Sequence, residues 1–193
     1  MKISTWTSVT LDGVIQGPGS PDEDTRGGFD RGGWAHRYHD EVAMREAGVG
    51  MAEAGPILFG HRTYAQFYSY WPNQPDDNPF KQVLDNAPKY VCSRTADEPL
   101  PWQNSTLLRG DASEAVANLK RAGGKDAVIL GSGELLRSLI PAGLIDSYTL
   151  LIHPLVLGQG QRLFDVDVLA ELQLTKSVTT TTGVIIATYE PAA

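Results

Sequence analysis

Short apolar runs separated by amphipathic segments dominate the first three quarters of the chain. The runs at 57–59, 90–92 and 127–130 have the composition of buried strands. Between them, apolar residues recur at the spacing of one helix face. The clearest example comprises Tyr64, Phe67, Tyr68 and Trp71. This alternation predicts strands joined by helices, and therefore a mostly parallel sheet.

The pattern changes after residue 146. Segments 148–153, 169–178 and 183–190 have strand character with no helical segment between them. We therefore predict an α/β fold in one domain spanning 1–193, with a mostly parallel sheet and antiparallel C-terminal strands. The apolar segments 150–152 and 184–186 predict a homodimer that forms through exposed edge strands.

Two other stretches interrupt this regular alternation. Residues 16–33 are rich in glycine, proline and acidic side chains, so they predict a long loop. A loop of this length in a compact domain is often a functional lid. Residues 34–51 have a helical pattern without clear caps.

Charge and composition narrow the range of functions. The 193 residues carry a net charge of −7, which argues against a general nucleic-acid surface or binding to anionic membranes. The single cysteine, Cys92, has no partner for an internal disulfide, and we predict that it is a buried core residue. The N-terminus has no signal-peptide pattern, and no apolar stretch approaches the ~20 residues of a membrane span. We expect a cytoplasmic protein.

Three predicted strands end in small or basic residues. The first is followed by Gly60, His61, Arg62 and Thr63, the second by Ser93, Arg94 and Thr95, and the third by Gly131, Ser132, Gly133 and Glu134. Loops and helix N-termini at the carboxyl edge of a parallel sheet present backbone N–H groups to anions. The three segments together predict one extended, phosphate-bearing ligand. Taken singly, each is equally consistent with a tight turn, an N-cap or an exposed arginine.

Other chemical motifs are weak or incomplete. Leu136 stands where a dinucleotide fingerprint would require glycine. His36 and His39 are spaced for one helix face beside Asp40, but a zinc site would need a further ligand. We therefore predict no metal site.

Several short segments occur along the chain in one characteristic order. They are 8–13, 58–64, 91–95, 130–135, 143–146 and 154–160. This ordered set resembles the dihydrofolate reductase superfamily, and more closely the stand-alone form of the reductase domain of the bifunctional riboflavin-biosynthesis deaminase–reductase. The resemblance covers roughly residues 2–190. It implies a dihydrofolate reductase-like three-layer sandwich and the cofactor NADPH.

The resemblance also implies roles for the strand-end segments. Segment 60–63 would face the cofactor phosphates, and segment 93–95 would hold the adenosine ribose 2′-phosphate. Segment 131–135, which ends at Leu135, would hold the pyrophosphate or nicotinamide half. Loop 16–33 would correspond to the mobile active-site loop of the family.

For catalysis, the resemblance implies hydride transfer from NADPH to a pyrimidine or pterin-like small molecule. A proton would come from Asp12, Asp40 or an ordered water. The riboflavin-type substrate, 5-amino-6-(5-phosphoribosylamino)uracil, also carries a phosphate, for which Arg26, Arg31 and Arg37 are the candidates. The alternatives are a reductase of an unrelated small molecule and an NADPH-binding protein with a regulatory, non-catalytic role.

Overall fold

The structure is a computed structural model that describes residues 1–52, 55–164 and 167–192. Within these residues the eight strands are β1 (Ile3–Thr10), β2 (Ile57–Gly60), β3 (Lys89–Ser93), β4 (Ser105–Arg109), β5 (Ala127–Leu130), β6 (Ser147–His153), β7 (Leu172–Thr179) and β8 (Ile185–Pro191). The five α-helices of the same residues are α1 (Glu41–Ala52), α2 (His61–Tyr70), α3 (Pro79–Asn86), α4 (Ala112–Ala122) and α5 (Gly133–Leu139).

All eight strands form one mixed sheet in the order β4-β3-β2-β5-β1-β6-β8-β7. The strands from β4 to β6 pair in parallel. Strand β8 runs antiparallel to both β6 and β7. The prediction of a mostly parallel sheet with antiparallel C-terminal strands is therefore confirmed.

Apolar side chains cover the sheet on both faces and give the fold its three layers. On the first face, α2 and α3 pack on β2 and β3. The buried members of that cluster are Ile57, Phe59, Tyr64, Leu84, Val91 and Trp102. On the second face, α4 and α5 pack in a cluster that includes Leu58, Val116, Ile129, Leu135, Leu136 and Leu139. Consecutive strand residues point to opposite faces, so one short apolar run serves both clusters.

Side-chain caps mark the starts of α3 and α4, whereas α2 and α5 begin without one. Asp111 accepts hydrogen bonds from the backbone N–H of Ser113 and Glu114 at 3.0 and 3.1 Å and so caps the start of α4. Ser132 precedes α5, but its backbone is left-handed (φ 57°, ψ 48°) and its side chain makes no capping hydrogen bond. Its hydroxyl instead accepts a bond from the N–H of Gly60, as described below.

The segment predicted as a helix from 34 to 51 is divided. A short 3₁₀ turn, His36–Tyr38, precedes α1, and the extended backbone of His39 separates the two. Asp40 starts α1, since its Oδ1 accepts hydrogen bonds from the N–H groups of Val42 and Ala43 at 2.6 and 3.4 Å. The sequence pattern missed this cap because Asp40 lies inside the helical periodicity.

The predicted dimer segments do not lie on an edge. Segment 150–152 is in β6, between β1 and β8, and segment 184–186 leads into β8, between β6 and β7. Their assignment as edge strands is wrong, because the antiparallel hairpin of β7 and β8 extends the sheet beyond them. Strand β7 forms that edge and is largely exposed. Among the described residues, no helix has the length and apolarity that a membrane span requires.

Candidate functional site

A cleft of about 890 Å³ opens at the carboxyl edge of the parallel strands. It lies between α2 and α5, above the ends of β2, β3 and β5. It is lined by all twelve residues of the three strand-end segments that were predicted to bind a phosphate-bearing ligand. They are Gly60, His61, Arg62, Thr63, Ser93, Arg94, Thr95, Gly131, Ser132, Gly133, Glu134 and Leu135. We call these twelve residues the strand-end half of the cleft.

The ends of β2 and β5 are tied to each other inside this half. The hydroxyl of Ser132 accepts a hydrogen bond from the N–H of Gly60 at 3.0 Å. The N–H of Ser132 donates to the hydroxyl of Thr63 at 3.2 Å. These bonds hold the first turns of α2 and α5 side by side, so the residues at both helix starts line one cavity.

Two glycines keep the cleft open between these helices. Gly131 has a left-handed φ of +57°, and a Cβ there would lie 3.3 Å from the methyl group of Thr63. A Cβ on Gly133 would lie 2.5 Å from the terminal carbon of Ile15. Side chains at these positions would therefore fill space next to the backbone of the two helix starts.

Arg94 lies at the end of β3 and extends into solvent beside the cleft. Its side chain is 76% exposed, and its one ion pair among the described residues is with Asp111, at 3.3 Å. The pKa of Asp111 is lowered mainly by the hydrogen bond from the N–H of Glu114 at the start of α4. The guanidinium of Arg94 makes a smaller contribution. An exposed guanidinium of this kind is available to a phosphate.

Loop 16–33 crosses the cleft from one helix to the other. On the α2 side, the amide of Gln66 donates to the backbone carbonyl of Glu23. On the α5 side, the guanidinium of Arg26 pairs with Glu134 and also with Asp24, at 2.7 Å from Nε to Oδ1. The hydrogen bond with Asp24 raises the pKa of Arg26, so the guanidinium stays charged between two carboxylates.

The structure places Asp12 outside the residues that line the cleft. Its Oδ1 accepts hydrogen bonds from the Thr10 hydroxyl at 2.6 Å and the Leu157 N–H at 3.1 Å, and its Oδ2 accepts one from the Gly158 N–H at 2.7 Å. Desolvation opposes ionisation, but these hydrogen bonds outweigh it and lower the pKa of Asp12 to about 2. The carboxylate fastens segment 157–158 to the end of β1.

Asp40 also lies outside the cleft lining. Besides capping α1, it accepts hydrogen bonds at Oδ2 from the N–H of Thr181, at 2.8 Å, and from the hydroxyl of the same residue. The Thr181 hydroxyl is the main reason why the pKa of Asp40 is lowered. The carboxylate joins the start of α1 to the turn between β7 and β8. A proton donor needs a carboxyl that retains its proton, and neither Asp12 nor Asp40 has that environment.

Glu23 and His39 are among the titratable groups that face the cleft, and the sequence pattern did not single them out as proton donors. Glu23 lies in loop 16–33, and burial raises its pKa. His39 lines the cleft and directly precedes Asp40, the carboxylate that was predicted to donate a proton. The signal available in the sequence was the position of Glu23 inside a predicted lid.

The rest of the lining comes from elements far apart in the chain and includes a group of aromatic side chains. We call this part the aromatic half and define it by Trp6 of β1, His39, Met51 of α1, and Phe67 and Trp71 at and after the end of α2. The rings of Phe67 and Trp71 have centroids 6.4 Å apart. This half lies on the first face of the sheet, where Met51, Phe67 and Trp71 pack against the core cluster.

The histidine pair and the cysteine have ordinary surroundings. The rings of His36 and His39 are 4.7 Å apart. Within residues 1–52, 55–164 and 167–192, no group of three or more His, Cys, Asp or Glu side chains could hold a metal ion. Cys92 is buried, as predicted, and desolvation raises its pKa to about 12.

Comparisons with known proteins agree with this architecture. Residues 2–186 match the family model described as the RibD C-terminal domain. The chain is 33% identical over 138 residues to the uncharacterized protein YyaP of Bacillus subtilis (strain 168), covering 69% of this chain and 72% of that protein.

Solved structures show the same fold at lower sequence identity. A putative riboflavin biosynthesis protein from Shewanella sp. PV-4 is similar with a TM-score of 0.67 and 20% identity, covering 100% of both chains. Dihydrofolate reductase from Enterococcus faecalis, complexed with NADP(H), is similar with a TM-score of 0.63 and 12% identity, covering 100% of this chain and 97% of that one. The fold is therefore dihydrofolate reductase-like. With residues 2–186 of its 193 matched, this chain belongs to the RibD C-terminal domain family.

Proposed function

We propose that this protein, acting as a single domain, is an NADPH-dependent reductase that transfers hydride to a small heterocyclic substrate of the pyrimidine or pterin type. One observation carries the proposal: the twelve nominated residues line a single cleft. The family match supports a reductase of the dihydrofolate reductase-like superfamily. The similar Enterococcus faecalis reductase is complexed with NADP(H).

The residues of the strand-end half fit this cofactor. The starts of α2 and α5 would receive the pyrophosphate through backbone N–H groups, with Arg62 beside it. Arg94 would pair with the 2′-phosphate that distinguishes NADPH from NADH. Gly131 leaves room for close contact with the backbone, because any side chain there would approach Thr63. When bound, NADPH supplies the hydride.

The protein would supply the accompanying proton and exclude water. Glu23 and His39 are the titratable side chains that we propose for the proton, because both line the cleft. Loop 16–33, held to both helices, would cover the bound ring. Asp12 and Asp40 would keep structural roles.

Loss of reduced-nicotinamide absorbance tests the proposal directly. Purified protein is mixed with NADPH and a panel of pterin, pyrimidine and quinone acceptors. We expect acceptor-dependent oxidation of NADPH that decreases in Glu23→Gln or His39→Gln, while Asp12→Asn retains it in the folded fraction. Tight NADPH binding without oxidation by any acceptor would favour the non-catalytic alternative.

We also propose that two copies associate, now through the β7 edge. That strand is exposed along most of its length, and Leu174 is 51% exposed. A monomeric mass at micromolar concentration, measured by light scattering, would exclude the dimer.

A further inference from the structure

The positive charges of the cleft are confined to its strand-end half and to loop 16–33. Among the described residues that line the cleft, the lysines and arginines are Arg26, Arg62 and Arg94. Outside the strand-end half, the lining formed by the described residues contains no lysine or arginine other than Arg26 of loop 16–33. Arg62 lies five residues before Phe67 and nine before Trp71 on the same helical path. That spacing corresponds to roughly 8–14 Å along α2 and the start of the turn that follows it.

The candidate arginines for a substrate phosphate lie elsewhere or are already engaged. Arg31 donates a hydrogen bond to the carbonyl of Leu157 and does not line the cleft. Arg37 lies over the ring of Tyr38, 5.0 Å from its centroid, and does not line the cleft either. Arg26 lines the cleft, but Asp24 and Glu134 balance its charge.

A phosphate that entered the aromatic half would therefore lose water without gaining an ionic partner. Burying an unpaired charge is strongly unfavourable. The net charge of −7 adds a general repulsion of anions. A flat uncharged ring has the opposite balance, because the faces of Trp6, Phe67 and Trp71 gain contact area when they cover it.

Resting on the proposed reductase function, we infer that the acceptor is a flat, uncharged ring that carries no phosphate group. This substrate class differs from the phosphoribosyl pyrimidine that the family resemblance implies. The strand-end half would then bind every phosphate in the complex, and all of them would belong to the cofactor. The aromatic half would recognise the acceptor by stacking and by a hydrogen bond with His39.

A matched pair of flavins tests this substrate class. Riboflavin and riboflavin 5′-phosphate share one ring system and differ by a phosphate. The affinity of the full chain for each flavin is measured by calorimetry in the presence of saturating NADP⁺. The affinity for NADPH is measured separately, on the same protein preparation without NADP⁺. We expect riboflavin to bind at least about tenfold more tightly than its phosphate.

A charge placed in the aromatic half should reverse this preference. Met51→Lys adds a cation to the lining, so we expect it to strengthen binding of riboflavin 5′-phosphate and weaken binding of riboflavin. Met44→Lys is the matched control, since Met44 lies on the same helix but is 59% exposed and does not line the cleft. The control should leave both affinities unchanged.

The outcomes separate the two proposals. If the wild-type chain fails to bind NADPH, the proposed function is overturned, together with the inference that rests on it. If NADPH binds while riboflavin 5′-phosphate binds as well as riboflavin, only the substrate class is overturned. Binding of neither flavin in the presence of bound cofactor also overturns the substrate class.

Discussion

The two halves of the cleft are built in different ways. The strand-end half comes from three short segments, each of which directly follows a strand of the parallel sheet. It combines glycine backbone with polar side chains, and Arg62 and Arg94 are its exposed cations. The aromatic half takes side chains from β1, from the segment before α1, from α1 itself, and from α2 and the turn that follows it. Its surface is mainly rings.

This difference separates two kinds of recognition. Backbone N–H groups at helix starts suit any phosphate, so the strand-end half needs little beyond small residues and correct strand order. A ring pocket depends on shape and on which side chains meet, so it varies with every substitution. The cofactor is therefore the more general part of the proposed function, and the acceptor is the part specific to this chain. Four variants or conditions test that division.

The largest expected effect comes from filling the strand-end half. Gly131→Val places a β-branched side chain at a φ of +57° and against the methyl group of Thr63. We expect NADPH binding to weaken by about 3 kcal/mol, and riboflavin binding to change much less. Fluorescence titration of both ligands measures this. Gly48→Val is the control, because a Cβ at Gly48 meets no atom within 4 Å.

Removing the exposed guanidinium should discriminate between the two nicotinamide cofactors. Arg94→Ala should weaken NADPH binding by about 1.5–3 kcal/mol through loss of a charge-assisted contact, and leave NADH binding nearly unchanged. Arg45→Ala, at an exposed position of α1, is the matched control. Equal losses for both cofactors would contradict the assignment of Arg94 to the 2′-phosphate.

Breaking the contact between loop 16–33 and α5 should alter kinetics more than affinity. Glu134→Gln removes the ion pair with Arg26, a partly exposed pair worth about 0.5–1 kcal/mol. We expect faster dissociation of NADPH in stopped-flow experiments, by a factor of about 2–5. Glu114→Gln, an exposed acidic residue in the first turn of α4, should leave the rate unchanged.

Acid should affect the aromatic half before the strand-end half. His153 is buried beneath Trp34 and Tyr38, with ring centroids 5.1 and 5.3 Å away, and desolvation lowers its pKa. The unfolded chain therefore binds more protons below pH 6.5, so the stability contributed by neutral His153 is present above that pH and is lost as pH falls.

Chemical unfolding and riboflavin binding, each followed from pH 7.5 to 5, measure the consequence. We expect both to weaken, because His153 supports the segment that carries His39, while NADPH binding declines less. His153→Gln should flatten this dependence, whereas His61→Gln should preserve it. A wild-type profile with no change in stability across this range would refute the role of His153.

Much of the fold was readable from local patterns. Strand β5 covers 127–130, as predicted, and α2 carries the predicted helix face of Tyr64, Phe67 and Tyr68, because the apolar spacing of each lies within the segment itself. The strand-end half was readable for the same reason. A strand, a glycine or arginine, and a helix start are neighbours in sequence, and parallel pairing brings such neighbours to one edge.

The roles of the carboxylates depended on the tertiary structure. Asp12 finds its partners at Leu157 and Gly158, and Asp40 finds its partner at Thr181, 141 or more residues away. The residues next to an aspartate in the sequence do not show whether its carboxylate oxygens accept hydrogen bonds in the folded protein. The packing of the segments that follow β6 and β7 decided that both are engaged, whereas desolvation of Glu23 raises the pKa of that side chain.

The sequence by itself determined the class of sheet, the order of its helices and the segments that form the strand-end half, because these follow from neighbours along the chain. Only the tertiary structure decided that Trp6, His39, Met51, Phe67 and Trp71 share one cavity. The same holds for the absence of a cation among the described residues of that half. The physical reason is that a pocket is defined by distances between side chains from separate elements, and those distances are fixed only when the layers pack.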